Sequence, residues 1–137
     1  MNRALRELVV YRIERARETL EDALLLARQE RWPSSANRLY YACFYSVSAL
    51  LLSEGLSSTK HSGVRSLFNR HFVKTGRVNK AHGRLFNDLY ELRQESDYVD
   101  LLRIDSEPVL PCLEPAGQLV DALATLALAP ESSTDED

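Results

Sequence analysis

The densest set of polar groups able to act on a ligand lies in the fourth apolar-periodic segment. His82, Phe86, Leu89, Arg93 and Asp97 are spaced 4, 3, 4 and 4 residues apart, so on a helix they share roughly one face. Arg93 and Asp97 are i,i+4 neighbours able to pair. Tyr98 lies about 140° further round the helix from Arg93 and about 7.5 Å along its axis. A guanidinium flanked by a carboxylate and a phenol can hold a phosphate, with Asp97 orienting Arg93 and Tyr98 hydrogen-bonding the ester oxygens. The same residues also suit a structural Arg93–Asp97 pair holding the helix to a neighbour, with Tyr98 half-buried.

Asn37 and Arg38 open another helix just ahead of Tyr40, Tyr41, Phe44 and Tyr45. Polar groups at a helix start serve as caps or solvated residues, and here they are also candidates to bind a ligand. The aromatics that follow read as core before they read as a base-stacking platform, although a buried tyrosine hydroxyl still needs a partner. His61, His71 and His82 are ten and eleven residues apart, without the i,i+4 pairing of a helical metal site. No Gly-rich phosphate loop occurs, nor a Ser–His pair with an orienting acid. Neither a metal nor a cofactor is expected.

Charge adds a second clue. The net charge is −3, yet no acidic residue occurs from Gly55 to Asn87. That stretch carries Lys60, Arg65, Arg70, Lys74, Arg77, Lys80 and Arg84 together with all three histidines. A basic block in an otherwise acidic chain suits phosphate, nucleic acid or an acidic partner, or else an intramolecular match to the acidic helices. His61, near the start of the third helix, is a candidate to help bind an anion.

The elements that must position these groups are helical. Val9, Ile13, Ala16, Leu20, Ala23 and Ala27 form one stripe along a first helix, Arg3 to Glu30, which Trp32-Pro33 ends. Ser34 or Ser35 caps a second helix reaching Ser53 or Glu54, with Gly55 at the left-handed stop. This second helix is apolar almost all round and should be central, or partly at a subunit interface. Ser62 caps a third helix to about Thr75, and Asn79 a fourth from Lys80 to about Asp100. The three prolines of RIDSEPVLPCLEP read as a linker, with a last helix from Pro115 to Leu128. The expectation is an all-α bundle of four long helices plus a shorter C-terminal helical segment: one domain over residues 1–128 and a disordered acidic tail over 129–137.

Composition agrees. The chain has 137 residues, 45% hydrophobic and 27% charged, with only 5 Gly and 5 Pro, too few for the many turns of a sandwich or barrel. Cys43 and Cys112 stand alone in separate segments, which argues against a disulfide framework and for a reducing cytoplasm. The N-terminus lacks the continuous apolar core of a signal peptide. The longest nearly apolar run, Leu39 to Leu52, is 14 residues, short of the about 20 that cross a bilayer, so no membrane partner is expected.

Two segments resemble a known family. ANRLYYACFYSV is similar to the second-helix signature of HEPN domains. KHSGVRSLFNRHFVKTG followed by LFNDLYELRQESDY resembles the second signature of the small stand-alone HEPN proteins. The likeness spans about Ala16 to Tyr98. It implies an up-and-down helical bundle that commonly forms a two-fold dimer. It also implies a nucleotide- or RNA-binding function, related to metal-independent endoribonucleases that act as toxins paired with a small nucleotidyltransferase antitoxin. The family motif is an Arg, four to six residues, then a His, brought together twice in a dimer cleft. Arg93 matches the Arg, Tyr98 stands at a permitted His position, and Asn37 falls near a polar residue supplied by the second helix. A tyrosine, with pKa about 10, is a poorer general base than a histidine near 6.5. The competing expectation is a non-catalytic homodimeric protein-interaction module.

Overall fold

The computed structural model describes residues 1–96 and 104–130. Five helices run in the order α1 (Arg3–Arg28), α2 (Trp32–Ser53), α3 (His61–Phe68), α4 (Lys80–Ser96) and α5 (Ser106–Ala127), and a π-helical turn, Asn69–Val73, continues α3. No strand occurs among the described residues. The architecture is the expected all-α bundle, with its short irregular element at α3 and not at the C-terminus.

α1 starts where Asn2 Oδ1 accepts the Leu5 N–H at 2.8 Å, satisfying one orphan donor of the first turn. Its buried stripe is Val9, Ile13, Ala16, Thr19, Ala23 and Ala27. The small residues on it let α2 lie close, and Ser35 Oγ donates to the Ala23 carbonyl at 2.8 Å across the contact. α2 begins earlier than the sequence suggests. Trp32-Pro33 forms its first turn, where proline's missing N–H is no loss, so the dipeptide opens this helix as well as closing the last. Glu30, at φ 58°, takes the left-handed position between them. Gly55, at φ 76°, ends α2 as expected, with Leu56 N–H donating to the Leu51 carbonyl at 2.9 Å.

α2 is the central helix. It packs most extensively on α1 and also against α5, α4 and α3, and twelve of its residues from Ser35 to Leu51 are buried. Most of its apolar character is met within one chain, while Tyr41, Phe44, Tyr45 and Leu52 are half-buried.

α5 departs from expectation. The helix starts at Ser106, with Asp105 Oδ1 accepting the Glu107 N–H at 3.2 Å, and runs through Pro111 and Pro115. Pro108, Pro111 and Pro115 are spaced three and four residues apart on one stripe, and the first two are exposed. The adjoining face buries Val109, Ala116, Leu119, Val120, Leu123, Ala124 and Ala127. Lost backbone bonds thus fall on the solvent side, where water replaces them and a helix can bow outward, while packing holds the inner face.

The expected pairing of Arg93 with Asp97 and the end of α4 near Asp100 lie outside the described residues. So do residues 131–137 of the acidic tail.

Candidate functional site

The polar groups gather round Tyr40, whose side chain is fully buried on α2. His61, the first residue of α3, places Nδ1 2.8 Å from the Tyr40 hydroxyl. Burial pushes the Tyr40 pKa well above the usual phenol value, so the phenol keeps its proton. Donating that proton to Nδ1 sets the neutral imidazole as the Nε2–H tautomer. The His61 ring stacks on Phe44 at 4.2 Å between centroids and 12° between planes, and meets Tyr41 edge-on at 5.7 Å.

Arg93 enters from α4. Its guanidinium carbon lies 5.0 Å from the Tyr40 ring centroid and 5.9 Å from that of Tyr90. Arg65 of α3 covers the same Tyr90 ring at 4.2 Å. Burial, and then the positive charge of Arg93, hold the His61 pKa below the ordinary imidazole value. The centre thus joins a half-buried guanidinium to a neutral imidazole, braced by rings.

Ser58 and Gly63 set the position of His61. Ser58 Oγ accepts the Lys60 N–H at 3.2 Å. A Cβ on Gly63 would come within 2.0 Å of Ser58 Oγ, so only glycine lets the first turn of α3 close over that serine.

Of the residues expected to act together, Arg93 and His61 do converge on one ring. Asn37 and Arg38 bind one another at the start of α2, Arg38 Nη2 donating to Asn37 Oδ1 at 2.9 Å. The Arg38 guanidinium then rests over the Tyr41 ring at 5.1 Å, and Tyr41 is itself in edge contact with His61. Asp97 and Tyr98 lie outside the described residues. The stripe from His82 to Arg93 is no surface: Phe86 and Leu89 are fully buried and carry Arg93 at the end of a core-facing row. Tyr90 was not legible as a site residue, Arg65 was legible only as a member of the basic block, and Tyr40 only as a core aromatic. For Tyr40 the one signal is that a phenol in an apolar run must find a partner.

The basic block divides. Arg77 donates through both Nη atoms to the Glu54 carboxylate, Nη1 to Oε1 at 2.8 Å, and holds the Glu54 pKa below the usual carboxylate range. It also covers Phe72 at 4.6 Å, so it ties the turn after the π segment to the end of α2. Arg65, Arg70 and Lys74 instead line an open groove of about 870 Å³ between α3, the π turn and α4. Among the described residues, no three His, Cys, Asp or Glu side chains are placed to hold a metal ion, and no helix is long and apolar enough to cross a membrane.

The comparisons agree with this architecture. Residues 9–126 match the family model described as the HEPN domain. A UPF0332 protein of Thermotoga maritima is 48% identical over 120 residues, covering 88% of this chain and 91% of the relative. A Methanocaldococcus jannaschii protein named "Putative toxin MJ0605" is 37% identical over 98 residues, 72% of this chain and 73% of its own length. A UPF0332 protein of Gloeobacter violaceus is 40% identical over 86 residues, 63% of this chain and 68% of the relative. The fold and site define an all-helical protein with an Arg–His–Tyr centre. The chain belongs to the HEPN domain family.

Proposed function

We propose that this chain is a toxin-like HEPN protein that takes the phosphate of a nucleotide or RNA at the Arg93–His61–Tyr40 centre. In this reading it works in the cytoplasm as one half of a pair with a minimal nucleotidyltransferase antitoxin. The observation that carries it is the convergence of Arg93 and a neutral His61 on one buried phenol. A guanidinium supplies charge and a planar fork of donors, and the Nε2–H of His61 adds a neutral donor beside it. The surrounding rings lower the local dielectric, so both interactions are stronger than in bulk water. The toxin name of the Methanocaldococcus relative supports the cellular role. Asp97 orients Arg93, Tyr98 and Asn37 contribute hydrogen bonds to the ligand, and Arg38 flanks it over Tyr41.

Where the family motif has histidine this chain has Tyr98, so cleavage without metal is weak and binding is the stronger signal. Anisotropy with a labelled single-stranded RNA, and cleavage assays in a chelator, test the reading. Arg93→Ala weakens binding at least tenfold, and Tyr98→His increases cleavage. Wild-type affinity retained in both Arg93→Ala and His61→Ala would overturn the assignment and favour the protein-interaction module.

A further inference from the structure

We infer that the groove between α3, the π turn and α4 is a phosphate-backbone track, which makes a single-stranded RNA of several nucleotides, and not a mononucleotide, the ligand of this protein. The inference rests on the reading of the Arg93–His61 centre as the place where that ligand is handled.

The π turn builds the groove. Its 69–73 segment closes with the Lys74 N–H donating to the Asn69 carbonyl five residues back, at 2.8 Å. Arg65, Asn69, Arg70 and Lys74 all line the one groove, facing Asn87 and Glu91 of α4. Three cations thus meet a single carboxylate. None of the three forms an ion pair among the described residues, in contrast to Arg77, whose charge Glu54 takes up. Arg70 and Lys74 are exposed and follow one another by about one helical turn, a separation suited to successive phosphates of an extended strand. Asn69 Nδ2 donates to Asn87 Oδ1 at 3.3 Å. That bond leaves the Asn69 amide oxygen and the Asn87 NH2 for a sugar hydroxyl or a base edge.

Continuity with the centre comes from Arg65. It lines the groove and lies on the Tyr90 ring, and Arg93 stands 5.9 Å from that same ring. Tyr90 in turn sits edge-on to Tyr40 at 5.9 Å, and Tyr40 holds His61. A strand lying along Lys74, Arg70 and Arg65 is thereby led to Arg93. A mononucleotide bound at Arg93 would leave Arg70 and Lys74 without a role.

The test uses the full chain with a 12-mer oligouridylate and with uridine monophosphate. Arg70→Glu/Lys74→Glu weakens the 12-mer at least thirtyfold and the mononucleotide no more than threefold. Its salt dependence falls by about 1.4 in the log–log slope, roughly 0.7 for each lost cation. Lys80→Glu/Arg84→Glu, exposed on α4 outside the groove, reverses the same charge and leaves 12-mer affinity unchanged. Arg70→Gln/Lys74→Gln, gentler on the fold, gives a smaller loss in the same direction, with circular dichroism confirming native helix. Equal losses from the two charge-reversed pairs, or none from the groove pair, overturn the track. If Arg93→Ala still weakens both ligands in that case, the centre stands without it. If Arg93→Ala changes neither ligand while the groove pair weakens the 12-mer, the track stands and the centre falls. An oligoglutamate peptide that displaces the 12-mer at equal concentration would mark a seat for an acidic protein and overturn the RNA assignment.

Discussion

His61 is held between a phenol that feeds Nδ1 and a guanidinium that repels an added proton, so its protonation state reports on the whole centre. Its folded pKa lies below the unfolded value of about 6.5. Between those two values the unfolded chain binds more protons than the folded one, and stability falls as pH drops through that window. The imidazole resonances of His61 therefore titrate below the usual range, and Arg93→Ala moves the midpoint upward. Adding inorganic phosphate to the wild type also moves it upward, because an anion beside Arg93 offsets the charge that disfavours imidazolium. A midpoint indifferent to both would show that Arg93 and His61 do not share a site. Arg93 and His61 were each legible as candidates from residue type and family resemblance. Their meeting on Tyr40 was not, because Tyr40 is 21 residues from His61 and further still from Arg93, separations that leave no periodic signal.

At the scale of elements, α4 and the π turn meet closely at Gly83. A Cβ on Gly83 would come within 2.7 Å of Val73 Cγ1 and 2.9 Å of Cγ2. Gly83→Ala improves helix propensity by about 1 kcal/mol, yet overpacking against a branched side chain costs about 1–3 kcal/mol. Urea unfolding should show net destabilisation of Gly83→Ala, relieved when Val73→Ala is added, as a double-mutant cycle between touching groups requires. Additive effects would mean that α4 shifts freely against the π turn. Helix existence was legible throughout, since apolar periodicity is what burial selects. The extent of α5 was not, because each proline argues locally for a break, and only the exposure of Pro108 and Pro111, with Pro115 half-buried on the same stripe, lets tertiary packing override it. The π turn has no sequence signature of its own, so a single third helix was the natural reading of that segment.

At the scale of the molecule, α2 raises the question of a second copy. Most of its apolar surface is covered by α1, α3, α4 and α5 of the same chain, and Tyr41, Phe44 and Tyr45 are left half-buried. A further argument is chemical. A composite cleft would bring two Arg93 guanidiniums and two His61 rings together, and like charges at close range oppose association until an anion lies between them. Dimerisation and phosphate binding would then be linked, each strengthening the other by the same factor. Light scattering at micromolar concentration should give a mass near twice 15.6 kDa. At the lower end of that range, inorganic phosphate or a short RNA should shift the population further towards the dimer. Arg93→Ala should remove this dependence on phosphate while leaving the dimer itself at least as tight, since the repulsion is gone. A monomer under all these conditions would sink the composite cleft, because one subunit cannot supply two Arg93 side chains. A dimer whose stability ignores both phosphate and Arg93 would place the subunit contact away from the centre, leaving each copy to bind its ligand alone.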